Sequence, residues 1–186
     1  SPLSNRVLLE AGIGATISHF HEFLMPGVEW RHVPITDQGL GISYGARTQL
    51  TGYPNQGNRY TQRFSLSYVT GSHQFKTGVH VEEGVRNTLL RGGGGNASYT
   101  FRNGTPVGIT QRATPYITRD AMLDLGIYVQ DRWAIDRLTL NLGVRLDIFN
   151  GYVRAQHVPA TPNGWIAERD FAPIDGVPAW RDINPR

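Results

Sequence analysis

The sequence contains no cysteine, and this absence removes a whole group of chemistries. No disulfide framework, thiolate metal site or cysteine nucleophile can be built from it. It also lacks any run of about 18 apolar residues, which excludes a transmembrane helix. Neither absence fixes the compartment, because cytosolic and outer-membrane proteins can both lack cysteine, and a membrane barrel needs strands that alternate and no long apolar run.

The charge distribution gives no sign of a nucleic-acid partner. Eighteen Lys and Arg residues against 15 Asp and Glu leave a net charge of +3, and the basic residues are scattered without a run. Nucleic-acid binding needs a basic patch or stripe. We therefore expect no nucleic acid among the partners.

The composition that is present favours strands. There are 22 glycines and 11 prolines. Aromatic and β-branched residues are plentiful, whereas helix-forming runs of Ala, Glu, Lys and Leu are scarce. Such a profile is typical of β-structure with many turns.

Alternation of apolar and polar residues with period two marks the candidate strands. It is clearest over 138–148, where leucine, valine and isoleucine alternate with Thr, Asn, Gly, Arg and Asp. The fold class predicted is all-β, with antiparallel up-and-down strands at about 6–18, 61–69, 74–85, 121–133 and 138–149. In the last of these strands the pattern assigns Leu142 to the middle of an apolar layer and Asn141 and Gly143 to the polar face.

Strand length and connection pattern indicate part of a transmembrane β-barrel with long extracellular loops. About 9–11 tilted residues cross the hydrocarbon layer, and all five strands reach about that length. Two connections are tight, at 70–73 and 134–137, and three are long, at 19–60, 86–120 and 150–186. Short turns at one end and long loops at the other are the outer-membrane arrangement. Since five strands leave two bare edges, which lipid does not tolerate, we expect the remaining strands of a larger barrel as partners.

The long connections have features of their own. Four consecutive glycines at 92–95 predict a mobile hinge. Asn103-Gly104 between two short apolar stretches predicts a hairpin with a tight primed turn. The segment 150–186 holds five of the eleven prolines and little alternation, and it is predicted to be an extended strap.

The most site-like cluster in the sequence is His19, His21 and Glu22. On an extended strand the two imidazoles share one face, as the ligands of zinc or copper do. Two ligands without a third are weak evidence for a metal, and a polar strand end entering a loop is the better explanation. We expect no metal and no other cofactor.

Other polar groups are expected to be structural. Glu82-Glu83 and the pair Asp120 and Asp124 stand at strand ends or face a wet lumen. No nucleophile elbow, Ser/His/Asp arrangement or phosphate-binding glycine motif is present, so no catalytic residue is assigned and no enzyme is expected. Ion-pair ladders along the lumen are predicted from Arg63, Lys76, Arg132 and Arg145 with Glu10, Asp124 and Asp147.

Two adjacent stretches resemble a known family. The segment 125–133, LGIYVQDRW, followed by 138–147, LTLNLGVRLD, resembles the barrel region of TonB-dependent outer-membrane receptors. The segments 1–4 with 8–12, 67–78 and 177–186 are similar to the branch with an N-terminal carboxypeptidase-regulatory-like domain, of the acidobacterial type. The resemblance implies nutrient uptake across the bacterial outer membrane. It also implies a plug domain, outer-membrane lipid, the energy-coupling TonB complex and a small ligand as partners.

The plug, the TonB-interacting segment and a C-terminal aromatic residue of the family are not found, so the chain is expected to be a fragment of a longer receptor. Two alternatives stay open at this point. One is a soluble β-sandwich that binds carbohydrate or a protein partner, since its apolar face would meet a second sheet. The other is a small metal-dependent enzyme that uses His19, His21 and Glu22.

Overall fold

The computed structural model describes residues 4–161 and 164–185, and nearly all of its regular structure is β-strand. One short 3₁₀ turn lies at Gly94–Asn96. No helix among the described residues is long and apolar enough to cross a membrane. The strands are β1 (Val7–His19), β2 (Ile35–Asp37), β3 (Ile42–Tyr44), β4 (Gln49–Thr70), β5 (His73–Gly92), β6 (Ala97–Arg102), β7 (Thr105–Gln111), β8 (Tyr116–Ile135), β9 (Leu138–Val153), β10 (Gln156–Val158), β11 (Arg169–Phe171) and β12 (Ala179–Pro185).

A six-stranded sheet in the order β1-β4-β5-β8-β9-β12 forms the body of the chain. Every neighbouring pair in it is antiparallel. Two-residue turns at Gly71-Ser72 and Asp136-Arg137 lie at one end, which we call the turn end. The three long connections lie at the other end, the loop end. The all-β, up-and-down prediction is confirmed, and the sheet is open within this chain.

Three strands run further toward the loop end than the sequence indicates. β4 has 22 residues, and β5 and β8 have 20 each. The prediction began the second strand at 61, yet β4 begins at Gln49 and its first half is held by a ladder to 84–92 of β5. Residues 49–60 carry few apolar side chains on either face, so alternation gave no signal for a strand there. At its loop end the sheet therefore extends beyond the length needed to cross a bilayer.

A sixth strand is the second difference. β12 pairs with β9 over seven residues, from Ala179 opposite Asn150 to Pro185 opposite Val144. The sequence prediction treated this segment as part of an extended strap. β12 mixes polar and apolar residues on both faces and is bounded by Pro178 and Pro185, which hides the alternation. Proline is tolerated there because β12 is an edge strand of the described sheet.

The two faces of the sheet differ in chemistry along its whole width. The register aligns apolar residues of five strands in one row, and alternate rows carry polar side chains. We call these the apolar face and the polar face. The central apolar row contains Ala11, Phe64, Val79, Ile127 and Leu146. A central polar row contains Glu10, Ser65, Gly78, Tyr128 and Arg145.

The long connections form a second sheet at the loop end. Its order is β3-β2-β6-β7, and it joins the connection after β1 to the connection after β5. β2 and β6 pair in parallel, with Ile35 opposite Tyr99. The hairpin predicted at Asn103-Gly104 is confirmed, and both turn residues have positive φ, 50° and 80°, as a primed turn requires.

The glycine run, predicted from composition to be a mobile hinge, is a packed turn. Gly94 donates its N–H to the carbonyl of Trp30 at 2.9 Å, and Gly92 donates to the Thr114 hydroxyl at 2.6 Å. A Cβ on Gly94 would lie 2.9 Å from the Val33 backbone. The glycines allow close approach of the first long connection to the second, which composition alone does not reveal.

Candidate functional site: the polar face and the loop end

The polar face carries an ion pair that spans three strands. Lys76 on β5 donates from Nζ to Glu10 Oε2 on β1 at 2.8 Å, and the Ser65 hydroxyl of the intervening β4 donates to the same oxygen at 3.0 Å. Lys76 can reach over β4 because Ser65 and Ser67, which lie beneath it, are small and buried. Part of the predicted ladder is thereby confirmed.

A second predicted pair lies nearer the other edge. Arg145 donates from Nε to Asp147 Oδ1 at 2.6 Å, and Asn184 of β12 donates to the other carboxylate oxygen at 3.1 Å. Arg63, Arg132 and Asp124 were also placed in the ladder. Among the described residues none of these three forms an ion pair.

Two of the four carboxylates expected to be structural, Glu82, Glu83, Asp120 and Asp124, pair with arginine. Glu82 pairs with Arg59 at 3.2 Å, and Asp120 pairs with Arg86 at 2.7 Å. Both pairs lie on the polar face, closer to the loop end. Each pair joins two neighbouring strands by opposite charges, so the role of these carboxylates is structural.

An aromatic pair also lies on the polar face. Phe149 of β9 and Trp180 of β12 are opposite each other, and their rings stack with centroids 4.3 Å apart. Trp180 was not a site candidate, because its strand was not recognised. Together with the ion pairs it makes the polar face one that can contact a solute or another protein segment.

The apolar face ends in aromatic rings at both of its margins. At the turn end the His73 ring stacks between Phe75 and Trp133, with centroids 5.3 and 5.2 Å away, and bonds Asp131 at 2.6 Å. At the loop end Tyr60 and Tyr152 face the same side. Aromatic girdles at two levels are typical of strands that cross a bilayer.

At the loop end a buried carboxylate ties the two long connections together. Asp37 is 1% exposed and closes β2. Its Oδ1 accepts the backbone N–H groups of Gly39, Leu40 and Asn103 at 2.9 to 3.0 Å. Its Oδ2 accepts that of Gly104 at 2.6 Å. One side chain from the first connection therefore holds the turn of the β6–β7 hairpin in the second.

The environment of Asp37 favours its ionised form. Burial alone would raise the pKa of this carboxyl, but the donated N–H groups, led by that of Gly104, lower it below its ordinary value of 3.8. Negative charge is thus kept at the junction of the two loops at neutral pH.

Among the described residues, the ligating atoms of His19, His21 and Glu22 do not converge as a group of three. His19 ends β1 opposite Gln56, and His21 makes an edge-to-face contact with Phe23. Glu22 is occupied, because it pairs with Arg47 and its Oε2 accepts the N–H of Thr51 at 2.8 Å. That backbone bond is the largest cause of the lowered pKa of Glu22. The expectation that His19, His21 and Glu22 hold no metal stays a prediction.

A different set of ligating side chains is brought together on the β10–β11 hairpin. His157 stands opposite Asp170, its Nδ1 is 2.8 Å from Asp170 Oδ1, and Glu168 is nearby on the same face. All three are exposed. The hydrogen bond to Asp170 raises the pKa of His157 above 6.5. A surface ion pair explains this geometry without a metal.

A cleft of about 500 Å³ opens beside the same hairpin, between it and the loop end of β8 and β9. Its charged lining residues are Arg112, Arg154 and Arg169, and no carboxylate lines it. Sequence reasoning missed this cleft, since its walls come from separate segments that only the fold brings together. We call it the arginine cleft.

A comparison with protein-family models matches residues 14–173 to the family described as TonB dependent receptor-like, beta-barrel. The chain belongs to this family. Searches of curated proteins and of solved structures gave no significant match. The match agrees with the resemblance seen in 125–133 and 138–147, and with the two-faced sheet.

Membership in the TonB-dependent receptor-like barrel family assigns the two faces. The apolar face is the barrel exterior, and the polar face, with its ion pairs and the Phe149–Trp180 stack, is the barrel interior. Proteins of this family are outer-membrane receptors and transporters of bacteria, not enzymes. The residues that β8 and β9 contribute to the arginine cleft lie on the interior side.

Proposed function

We propose that this chain is a wall segment of an outer-membrane receptor that takes up a scarce nutrient by TonB-coupled transport. Its apolar face contacts lipid, its polar face lines the passage, and its loop-end sheet and clefts face the outside of the cell. The energy-coupling complex acts through parts of the receptor other than these strands.

One observation carries the proposal: the apolar face is as tall as a bilayer and nothing in the described chain covers it. From Trp133 to Ala121, which stands opposite Tyr152, β8 advances twelve residues. At about 3.3 Å per residue and a tilt of about 40°, this is about 30 Å, the thickness of the hydrocarbon core. Aromatic rings mark both margins. Within this band Ile13 is 92% exposed and Ile127 is 45% exposed.

The uncovered face is the reason to set aside the soluble β-sandwich alternative. A sandwich needs a second sheet about 10 Å above the apolar face. Within residues 4–161 and 164–185 the second sheet lies at the loop end and covers none of that face, and the hydrophobic residues that are buried are Leu50, Leu89, Ala97 and Ala121. We do not favour the metal-enzyme alternative, because Glu22 is already bonded to Arg47 and Thr51.

The position of β1 and β12 at the two margins of the described sheet supports partners within the same barrel. No strand of the described residues pairs with the outer edge of either one, and in lipid the backbone groups of a strand must be satisfied by neighbouring strands. We infer that further strands adjoin both edges and that a plug contacts the polar face. We further infer, from the similarity of 1–4 with 8–12, 67–78 and 177–186, that the receptor belongs to the branch with a carboxypeptidase-regulatory-like domain.

The location is tested on the full-length receptor in the bacterium that makes it. We expect it in the outer-membrane fraction, with heat-modifiable migration in gel electrophoresis. Single cysteines at Ile127 and Leu146 should react poorly with a water-soluble maleimide in membranes, while a cysteine at Arg102 in the loops should react well. Equal labelling at all three positions would contradict the lipid-facing assignment.

Uptake is tested by a comparison that does not require the nutrient to be identified first. The spent medium of the parent strain is compared by mass spectrometry with that of strains lacking the receptor or lacking TonB. We expect at least one compound that the parent removes and that both mutants leave behind. If the two mutants share no such compound, the transport role is wrong for this receptor.

A further inference from the structure

The arginine cleft has an unusual charge composition. Three arginines line a space of about 500 Å³, and no Asp or Glu lines it. Among the described residues, the side chains of Arg154 and Arg169 have no hydrogen bond or ion pair, and Arg112 donates from Nη1 to the Ser98 hydroxyl at 2.8 Å. Within residues 4–161 and 164–185, therefore, no carboxylate forms an ion pair with the arginines of the cleft.

The rest of the lining is largely apolar. Val158 and Phe171 come from the β10–β11 hairpin, Ile174 follows it, and Tyr116 and Val153 come from the body of the sheet. A cavity of this size suits one small organic molecule, and apolar walls with a few polar groups are the usual composition of such sites. A ligand that fits would bury a hydrocarbon or aromatic body and present an anion to the arginines.

The cleft lies on the side of the sheet that faces the interior. Tyr116 on β8 is an even number of residues from Asp124, and Val153 on β9 is an even number from Asp147, so both lie on the polar face. Their ladders, to β5 and to β8, have no register shift. The cleft is consequently placed above the mouth of the passage and away from surrounding lipid.

We propose that the arginine cleft binds an organic carboxylate with an apolar body, and that this is the substrate class of the receptor. The inference rests on the proposed transport function. Guanidinium groups bind carboxylates through paired, charge-assisted hydrogen bonds, which are stronger than neutral ones. An anion bound in the cleft offsets the positive charge of the three arginines that line it. The apolar walls then discriminate between this ligand and inorganic anions.

The inference is tested on the full-length receptor in lipid nanodiscs, by calorimetry with three probes. These are 2-naphthoate, its neutral amide 2-naphthamide, and inorganic phosphate. We expect 2-naphthoate to bind about tenfold or more tightly than 2-naphthamide, because the charge-assisted bonds are lost with the amide. Its affinity should fall as salt is raised. Equal binding of acid and amide, or no binding of the acid, would overturn the proposal without need of a variant.

Variants then locate the site. The double substitution Arg154→Gln with Arg169→Gln removes two exposed cations that have no partner in the described chain, so folding should be preserved and can be checked by heat-modifiable migration. It should weaken 2-naphthoate about tenfold or more. Arg102→Gln, a matched change of an exposed loop-end arginine outside the cleft, should leave binding unchanged. Equal effects of the double variant and the control would place the anion elsewhere and overturn the assignment.

Two competition experiments distinguish an organic acid from other anions that the cleft could bind. If inorganic phosphate competes as well as 2-naphthoate binds, the apolar walls contribute nothing and the organic-acid class is wrong. If purified lipopolysaccharide displaces 2-naphthoate, the cleft is a headgroup site and the proposal fails. The comparison of spent media is independent of these results. A retained compound that is neutral or cationic would overturn the substrate class while leaving the transport function intact.

Discussion

The ring of Tyr128 on β8 lies across Gly78, its direct partner on β5, so closely that a Cβ at position 78 would stand 2.6 Å from the phenolic oxygen. The same Cβ would stand 2.7 Å from the backbone carbonyl of Phe64 on β4. A glycine covered by an aromatic ring from the next strand is a device that sheets use to fix register and curvature. Here it lies at the centre of the polar face.

We predict that Gly78→Ala destabilises the full-length receptor by about 1–3 kcal/mol, the usual cost of overpacking. Gly14→Ala is the matched control, since Gly14 lies on the same face and its Cβ would meet only the Thr61 hydroxyl, at 3.5 Å. Urea unfolding in lipid vesicles, followed by tryptophan fluorescence, measures both. Similar stability of the two variants would mean that Tyr128 and Phe64 shift at little energetic cost to accommodate the added methyl group.

A second prediction concerns Asp37. Asp37→Asn offers one acceptor oxygen in place of two and turns an NH₂ group toward N–H donors. We expect faster amide exchange in peptides that contain Gly39 and Gly104, measured by mass spectrometry on the full-length receptor. Asp175→Asn, a change of an exposed loop carboxylate, should leave exchange in these peptides unaltered. Unchanged amide protection in Asp37→Asn would show that the second sheet, at the loop end, keeps its structure without the buried negative charge of Asp37.

The same residue gives a pH dependence with a definite sign. The folded-state pKa of Asp37 is lowered, so its contribution to stability is present above the unfolded value of 3.8 and is lost as the pH falls through the folded pKa. Protection of the Gly104 amide should therefore persist from neutral pH to about pH 4 and decline below it. A decline that begins at about pH 6 would point to a histidine instead.

The third prediction concerns how deep Leu142 and Leu146 lie in the bilayer. Alternation assigns Leu142 to the middle of the apolar layer, but the register places it in a row with Tyr68, Phe75 and Asp131, near the turn end. Leu146 occupies the middle row. Leu146→Arg should cost about 2–4 kcal/mol and Leu142→Arg about 0–1 kcal/mol, because a charge costs most at the bilayer centre.

Asn141→Arg, on the polar face, is the control for this series and should be tolerated. Folding yield and urea midpoints in vesicles measure all three variants. If Leu142→Arg were the most damaging, the register of β8 and β9 or the position of the bilayer would have to be revised.

The fourth prediction concerns His157. Its pKa is raised by the hydrogen bond to Asp170, so the contribution of this pair is fully present below 6.5 and is lost as the pH rises through the folded pKa. The exchange rate of the imidazole C2 hydrogen against pH, read by mass spectrometry, should give a midpoint above 6.5. Asp170→Asn should lower that midpoint more than Glu168→Gln, because Glu168 acts only through its charge at a distance. Equal shifts would argue against the Asp170 bond as the main cause.

How much the sequence reveals depends on where a residue lies. The strands that cross the bilayer alternate, because lipid and water demand opposite side chains, and the segments around Phe64, Val79, Ile127 and Leu146 were predicted in the right order. Beyond the bilayer both faces of the sheet contact water, so the first half of β4 shows no alternation of apolar and polar residues. β12 was missed for a similar reason, since an edge strand of seven residues shows little contrast between its faces.

The candidate site was harder to predict than the strands. Lys76 and Glu10 were placed on one face by alternation, and their ion pair follows from that placement. The contacts of Asp37 with Asn103 and Gly104, and the meeting of Arg112 with Arg154 and Arg169, join positions far apart in the chain. No local spacing encodes such meetings, because they depend on how the long connections fold against each other.

The parallel pairing of β2 with β6 has a consequence for protein engineering. Residues 20–48 and 93–115 are two connections in the chain but one exchangeable module in space, since they share a sheet and the carboxylate of Asp37. A graft that transplants one connection into a related receptor leaves the other without its neighbouring strand and without its anchored turn. Chimeras that aim to transfer ligand specificity should therefore exchange both segments together, with the junctions at Phe20, Gln49, Gly93 and Tyr116.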